Sequence, residues 1–170
     1  GDRLSQTMAL SKRSGRYAAV MVLDLDNFKP LNDKHGHLVG DMLLVEVASR
    51  LLHCVRAVDT VARFGGDEFV VVLGELDVDS AESRAQAQVI AEKILASLSA
   101  PYVMTRRKDE GTEITIEHHC SASIGVVLFA NHETPQTDIL EWADAAMYQA
   151  KDAGRNAIRF YETDGESSRD

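Results

Sequence analysis

The chain has 170 residues, 45% of them hydrophobic, enough for one compact core and too many for a disordered chain. Its 27 acidic residues against 18 Lys and Arg give a formal net charge of −9, which excludes the basic footprint that nucleic-acid binding needs. No apolar run reaches the ~20 residues that span a bilayer, and no signal peptide is expected, so the chain is expected to be cytoplasmic and to make no membrane contact itself. Cys54 and Cys120 lie in apolar segments without CxxC or Cys/His spacing and read as buried free thiols.

A helix is expected from Asp2 to about Ser14, followed by a strand over Tyr17–Asp26. That strand is apolar almost to its end, as in a central strand covered on both faces, and it closes on carboxylates. A polar segment, Asn27–Gly40, leads to a helix from about Asp41 to Val55, where Leu44, Val47, Ala48, Leu51 and Val55 form one buried face. Thr60–Phe64 and Phe69–Leu73 read as strands joined by a Gly65–Glu68 turn. Ser80 is expected to cap a helix that runs to about Ser99 and stops at Pro101. Two strands then flank a charged, exposed tip at Arg106–Gly111, and Ser121–Phe129 alternates Ala122, Ile124, Val126 and Leu128 on one face. Thr134-Pro135 opens a last helix with Pro in its first turn, Gly154 ends it, and Ala157–Tyr161 forms a closing strand. The domain is expected to cover 1–161, with 162–170 as a polar tail or the start of a linker. This order predicts an α/β (α+β) domain, mostly one layer of helices against one sheet.

Four groups of residues could carry chemistry, and each has a plain alternative. Gly65-Gly66-Asp67-Glu68 is either an exposed turn or a place where a ligand approaches the backbone closely. Asp24-Leu25-Asp26 is either a solvated strand end or part of an all-oxygen site for Mg²⁺ or Mn²⁺, with Asp24 facing Asp67 across the sheet. Lys151 and Arg155 either complement the negative end of the last helix or, sharing one helix face, grip triphosphate oxygens. Asn32-Asp33 with Gly36-His37 and Gly40-Asp41 is either a turn with a helix cap or a pair of groups that reads a guanine edge.

In combination these segments resemble the GGDEF family over residues 2–161. Leu23–Lys29 resembles its first-strand signature, Asn32–Asp41 its ND..GH..GD segment, and Arg63–Phe69 its naming motif. Ala122–Gly125 is similar to its later strand, and Ala143–Asn156 to its closing AD.A.Y.AK..GRN. The resemblance implies a palm-like, mostly antiparallel sheet covered by helices, as in nucleotidyl cyclases. It implies a diguanylate cyclase that condenses two GTP molecules into cyclic di-GMP and pyrophosphate. Asp24, the Leu25 carbonyl and Asp67 would hold Mg²⁺ or Mn²⁺, and Glu68 would assist at the metal or in deprotonation. Gly65 and Gly66 would leave room for ribose and α-phosphate, and Asn32 and Asp41 would select guanine. Amides near Phe28 and Lys29, with Lys151 and Arg155, would hold the β- and γ-phosphates. Arg56-Ala-Val-Asp59 resembles the family's RxxD product-inhibition site for cyclic di-GMP. One GTP per domain implies a transient homodimer. The family's D.LTG..NR opening does not precede Asp2, while Arg159–Asp164 and the hairpin tip resemble proteins that continue into an EAL phosphodiesterase domain. The resemblance therefore also admits a non-catalytic, GTP-binding regulatory module that controls such a domain.

Overall fold

The computed structural model describes residues 2–130 and 134–162; of the expected tail, all but Glu162 lies outside the described residues. In chain order the elements are α1 (Asp2–Ser14), β1 (Ala18–Leu25), α2 (Phe28–His35), α3 (His37–Cys54), β2 (Thr60–Gly65) and β3 (Glu68–Leu73). There follow α4 (Ser80–Ser99), β4 (Tyr102–Asp109), β5 (Thr112–His118), β6 (Ala122–Phe129), α5 (Gln136–Asp152) and β7 (Ala157–Phe160). The main sheet has the order β2-β3-β1-β6-β7, and β4-β5 form a separate hairpin. All neighbours in the main sheet are antiparallel except β6 and β7.

β1 sits at the centre because both of its faces are apolar. Ala19, Met21, Leu23 and Leu25 pack with Leu43, Val47 and Leu51 of α3 and Ala91, Ile94 and Leu98 of α4. Ala18, Val20 and Val22 pack on the other side with Leu4 and Met8 of α1 and Ile139, Ala143 and Met147 of α5. Helices therefore cover both faces of the sheet, where element order alone suggested one layer. The unbroken apolar run of β1 is the physical reason, since a strand of that composition needs cover on both sides. β6 alternates as expected, with Ala122, Ile124, Val126 and Leu128 on the α3–α4 side. Cys54 and Cys120 are buried and free.

Several boundaries differ from expectation. The polar segment 27–40 is mostly helix: α2 occupies Phe28–His35 and α3 begins at His37, ahead of Asp41. α2 buries only Leu31, so it has no apolar stripe to betray it. Asp79, rather than Ser80, caps α4, its carboxylate accepting from the Glu82 N–H at 2.8 Å. Pro135 stands at the cap of α5, just ahead of its first turn. Arg106–Asp109 belongs to β4, and the hairpin turns only at Glu110-Gly111. Among the described residues no helix is long and apolar enough to cross a membrane.

Candidate active site

The β2–β3 turn projects at the same end of the sheet as the end of β1. Gly65 (φ 134°) and Gly66 (φ 52°) take backbone conformations that side chains disfavour, and a Cβ on either would meet no atom within 4 Å. The turn is thus bent by its glycines and open above them. Arg63 braces it by donating from Nε to the Gly66 carbonyl at 2.9 Å.

The backbone partner of Asp24 is Glu68, one residue beyond the expected Asp67. The turn nevertheless carries Asp67 back, so that its carboxyl meets that of Asp24. Burial first, and then the bond and charge of Asp24, push Asp67 up from 3.8 to about 6. Glu68 is also raised, by burial and by the charges of Asp144 and Asp24. Lys151, in the last turn of α5, donates to Asp24 Oδ2. Burial alone would lower the Lys151 ammonium, but its bond to Asp24 and the charges of Asp24, Tyr148 and Asp67 raise it overall. The other Asp24 oxygen, Oδ1, is buried and has no hydrogen-bond partner among the described residues. A buried carboxylate oxygen without a donor is costly unless a proton or a cation reaches it.

Arg155 does not share a helix face with Lys151. α5 has ended by then, and Arg155 follows Gly154 in a left-handed conformation (φ 65°). It lies at the rim with Nε 4.0 Å from Asp26 Oδ1. Asp26, which the sequence grouped with Asp24 at the strand end but gave no separate role, is a structural anchor of the site. It is 3% exposed and ties three segments together. It accepts from Ser121 Oγ at 2.6 Å, Ser123 Oγ at 3.0 Å and the Asn156 N–H at 3.1 Å. A carboxylate closing a buried strand was its only signal, and both hydroxyls come from the far side of the chain.

An open cleft of about 300 Å³ collects Leu25, Phe28, Lys29, Asp67, Lys151 and Arg155. Asn32 and Asp41 form a separate corner where α2 meets α3. Asn32 Nδ2 lies 3.0 Å from His37 Nδ1, and a Cβ on Gly40 would collide with Asn32 Oδ1. Arg56 and Asp59 lie elsewhere again, before β2, and are paired with each other. Arg56 Nε and NH2 bind the Asp59 carboxylate at 3.0 and 2.9 Å, and the Gly74 N–H binds it at 3.1 Å.

Among the described residues no three His, Cys, Asp or Glu side chains gather as a complete metal cage. Two carboxylates with an unpartnered oxygen, next to cations, instead suit a hard divalent ion that completes its shell with water and phosphate oxygens. The donor set therefore fits Mg²⁺ or Mn²⁺ brought together with a polyphosphate.

A palm-like α/β domain with an acidic, cation-flanked cleft is the class that fold and site define. The family described as "Diguanylate cyclase, GGDEF domain" matches residues 1–157. The bifunctional diguanylate cyclase/cyclic di-GMP phosphodiesterase MucR of Pseudomonas aeruginosa is 43% identical over 162 residues, 95% of this chain and 22% of MucR. Diguanylate cyclase TpbB of the same species is 38% identical over 160 residues, 94% of this chain and 34% of TpbB. The chain thus spans between a fifth and about a third of these relatives' lengths. The crystal structure of the TpbB GGDEF domain superposes with a TM-score of 0.79 at 37% identity, covering 96% of this chain and 93% of that one. The GGDEF domain of DgcB from Caulobacter crescentus, solved in complex with c-di-GMP, gives 0.78 at 28% identity, covering 95% and 85%. The chain belongs to the GGDEF domain family.

Proposed function

We propose that this domain is a diguanylate cyclase: it binds GTP with Mg²⁺ or Mn²⁺ and, facing a second copy, condenses two GTP into cyclic di-GMP with release of pyrophosphate. The observation that carries the reading is the meeting of the Asp24 and Asp67 carboxyls beside Lys151, with Asp67 and Lys151 lining an open cleft.

Asp24, Asp67 and the Leu25 carbonyl would hold the ion, which when bound lowers the pKa of the attacking 3′-hydroxyl and offsets charge on the leaving pyrophosphate. The residues do the rest. The first turn of α2, Phe28 and Lys29, presents N–H groups at a helix N-terminus, a natural seat for phosphate oxygens. Its cap, Asn27, is left-handed and makes no side-chain cap bond, so no side chain competes for them. Lys151 and Arg155 supply cations on the opposite wall, and Asp26 holds Arg155 and the Asn156 amide at that wall. Gly65 and Gly66 leave room for ribose and α-phosphate, and Asn32 with Asp41 selects guanine at the α2–α3 corner. Glu68, raised by burial, sits where it can assist at the ion or accept a proton. One cleft takes one GTP, so the 3′-hydroxyl and the α-phosphorus come from facing domains.

Incubation with GTP and Mg²⁺ followed by nucleotide chromatography tests this: cyclic di-GMP and pyrophosphate should appear, and Asp67→Ala should abolish both while leaving the fold intact. Product from the Asp67→Ala protein would refute the metal assignment. Arg56 and Asp59 are proposed to bind cyclic di-GMP and restrain turnover. The Arg56 side chain is 44% exposed, and it must exchange Asp59 for the ligand. Arg56→Ala should lose product binding by calorimetry; unchanged binding would remove it from the site.

A second reading has its own support. Cyclic di-GMP phosphodiesterase PdeR of Escherichia coli is 37% identical over 147 residues, 86% of this chain and 20% of PdeR. A relative named for degradation favours a GTP-binding module that controls an attached phosphodiesterase. GTP binding without product would select that reading.

A further inference from the structure

The β4–β5 hairpin plays no part in the cleft, yet one of its cations turns back to the body of the domain. Arg107 and Lys108 are exposed, whereas Arg106 is half-buried and donates from NH1 to the His35 carbonyl at 3.0 Å. His35 is the last residue of α2. Carbonyls at a helix end lack partners within the helix, and a cation there satisfies one and complements the negative end of the dipole. The base of the hairpin is close by as well. His118, the last residue of β5, is held below its ordinary pKa by burial, then by the charges of His119 and His35.

α2 needs such help. It has eight residues, too few to be stable by itself, and buries only Leu31. Its N-terminal cap makes no side-chain bond. Yet it carries Phe28 and Lys29 at the cleft and Asn32 at the corner with α3. The hairpin is itself anchored to the frame: Tyr102 donates to the Leu98 carbonyl at 2.8 Å, and Arg50 binds the Pro101 carbonyl at 2.7 Å.

We propose that Arg106 is a positioning residue for nucleotide recognition: by pinning the far end of α2 it sets the angle at which Asn32 meets the base and the Phe28–Lys29 amides meet the phosphates. The proposal rests on the reading of α2 as a nucleotide-binding element.

The test is calorimetric binding of a non-hydrolysable GTP analogue and of its inosine counterpart, which lacks the 2-amino group, both with Mg²⁺. Arg106→Ala should weaken the GTP analogue about tenfold and shrink the preference over inosine, with little change in melting temperature. Arg106→Lys should restore part of the affinity, since it keeps a donor at the helix end, and it supplies the comparison if the alanine variant folds poorly. Arg107→Ala, an exposed neighbour of equal charge, should behave as the parent. Unchanged binding in Arg106→Ala, or an equal loss in Arg107→Ala, would overturn the proposal. Asn32→Ala separates the two layers. If it weakens GTP binding and Arg106→Ala does not, the anchor alone is wrong; if it has no effect, the reading of the guanine corner fails and the proposal with it.

Discussion

Asp24 and Asp67 form a carboxyl pair whose charges oppose each other, and the consequence is a pH dependence of known sign. Asp67 is raised from 3.8 to about 6 in the folded protein, so the folded state holds its proton more tightly than the unfolded chain. That contribution is fully present below about pH 4 and is lost as pH rises through about 6. Metal-free Asp67→Asn should therefore match the parent in melting temperature near pH 4 and exceed it by a margin that opens between pH 4 and 6. A margin that is flat or closes over this range would contradict the pairing. Lys151 offers a second test at the same scale. Its ammonium sits on Oδ2 and partly neutralises the same Asp24 carboxylate whose other oxygen, Oδ1, an incoming cation would use. Lys151→Ala should bind Mn²⁺ alone roughly two- to fivefold more tightly while weakening GTP, and Arg155→Ala, whose side chain is 59% exposed at the rim, should leave Mn²⁺ affinity unchanged. Weaker Mn²⁺ binding by Lys151→Ala in a calorimeter would show that the lysine is not a competing cation.

At the scale of elements, the ends of helices decide much of the geometry. Arg50 of α3 closes the C-terminus of α4: NH1 donates to the carbonyls of Ser97 and Ala100, both at 2.8 Å, and NH2 to Pro101 at 2.7 Å. Its guanidinium also stacks 3.7 Å above the Tyr102 ring. Arg50→Ala should cost about 2–3 kcal/mol in urea unfolding, and Arg50→Lys should recover less than half, because an ammonium cannot reproduce the fork. Loss below about 0.5 kcal/mol would mean the clamp is idle. The long helices and the two-sided burial of β1 were legible because apolar spacing announces them: Val47 and Leu51 in α3, Ala91 and Ile94 in α4, Ala18 to Leu23 in β1. α2 was not, since Leu31 is its one buried side chain. In the candidate site, the adjacency of Asp24 and Asp67 could be read from strand ends and a glycine turn. The joining of Asp26 to Ser121, Ser123 and Asn156 could not, because it depends on β6 lying beside β1 and on β7 following in parallel. Arg155 was misplaced for a local reason: Gly154 ends the helix, and the chain turns through a left-handed step before the guanidinium reaches the rim.

For the whole molecule, the net charge of −9 is compatible with a polyphosphate ligand only where it is locally reversed. Lys29, Lys151 and Arg155 gather around the cleft, and a divalent ion would complete the reversal. In the proposed reading, phosphates at one end of α2 and base at the other would leave one nucleotide per domain, while the proposed reaction consumes two. Encounter between two loaded domains is then part of each turnover. The most direct test is the amount of cyclic di-GMP formed from GTP and Mg²⁺ over a range of protein concentrations. The account predicts cyclic di-GMP with two pyrophosphates released per product, and a rate per domain that rises with protein concentration. GTP bound at stoichiometry, with neither product nor pyrophosphate at any concentration, would contradict it.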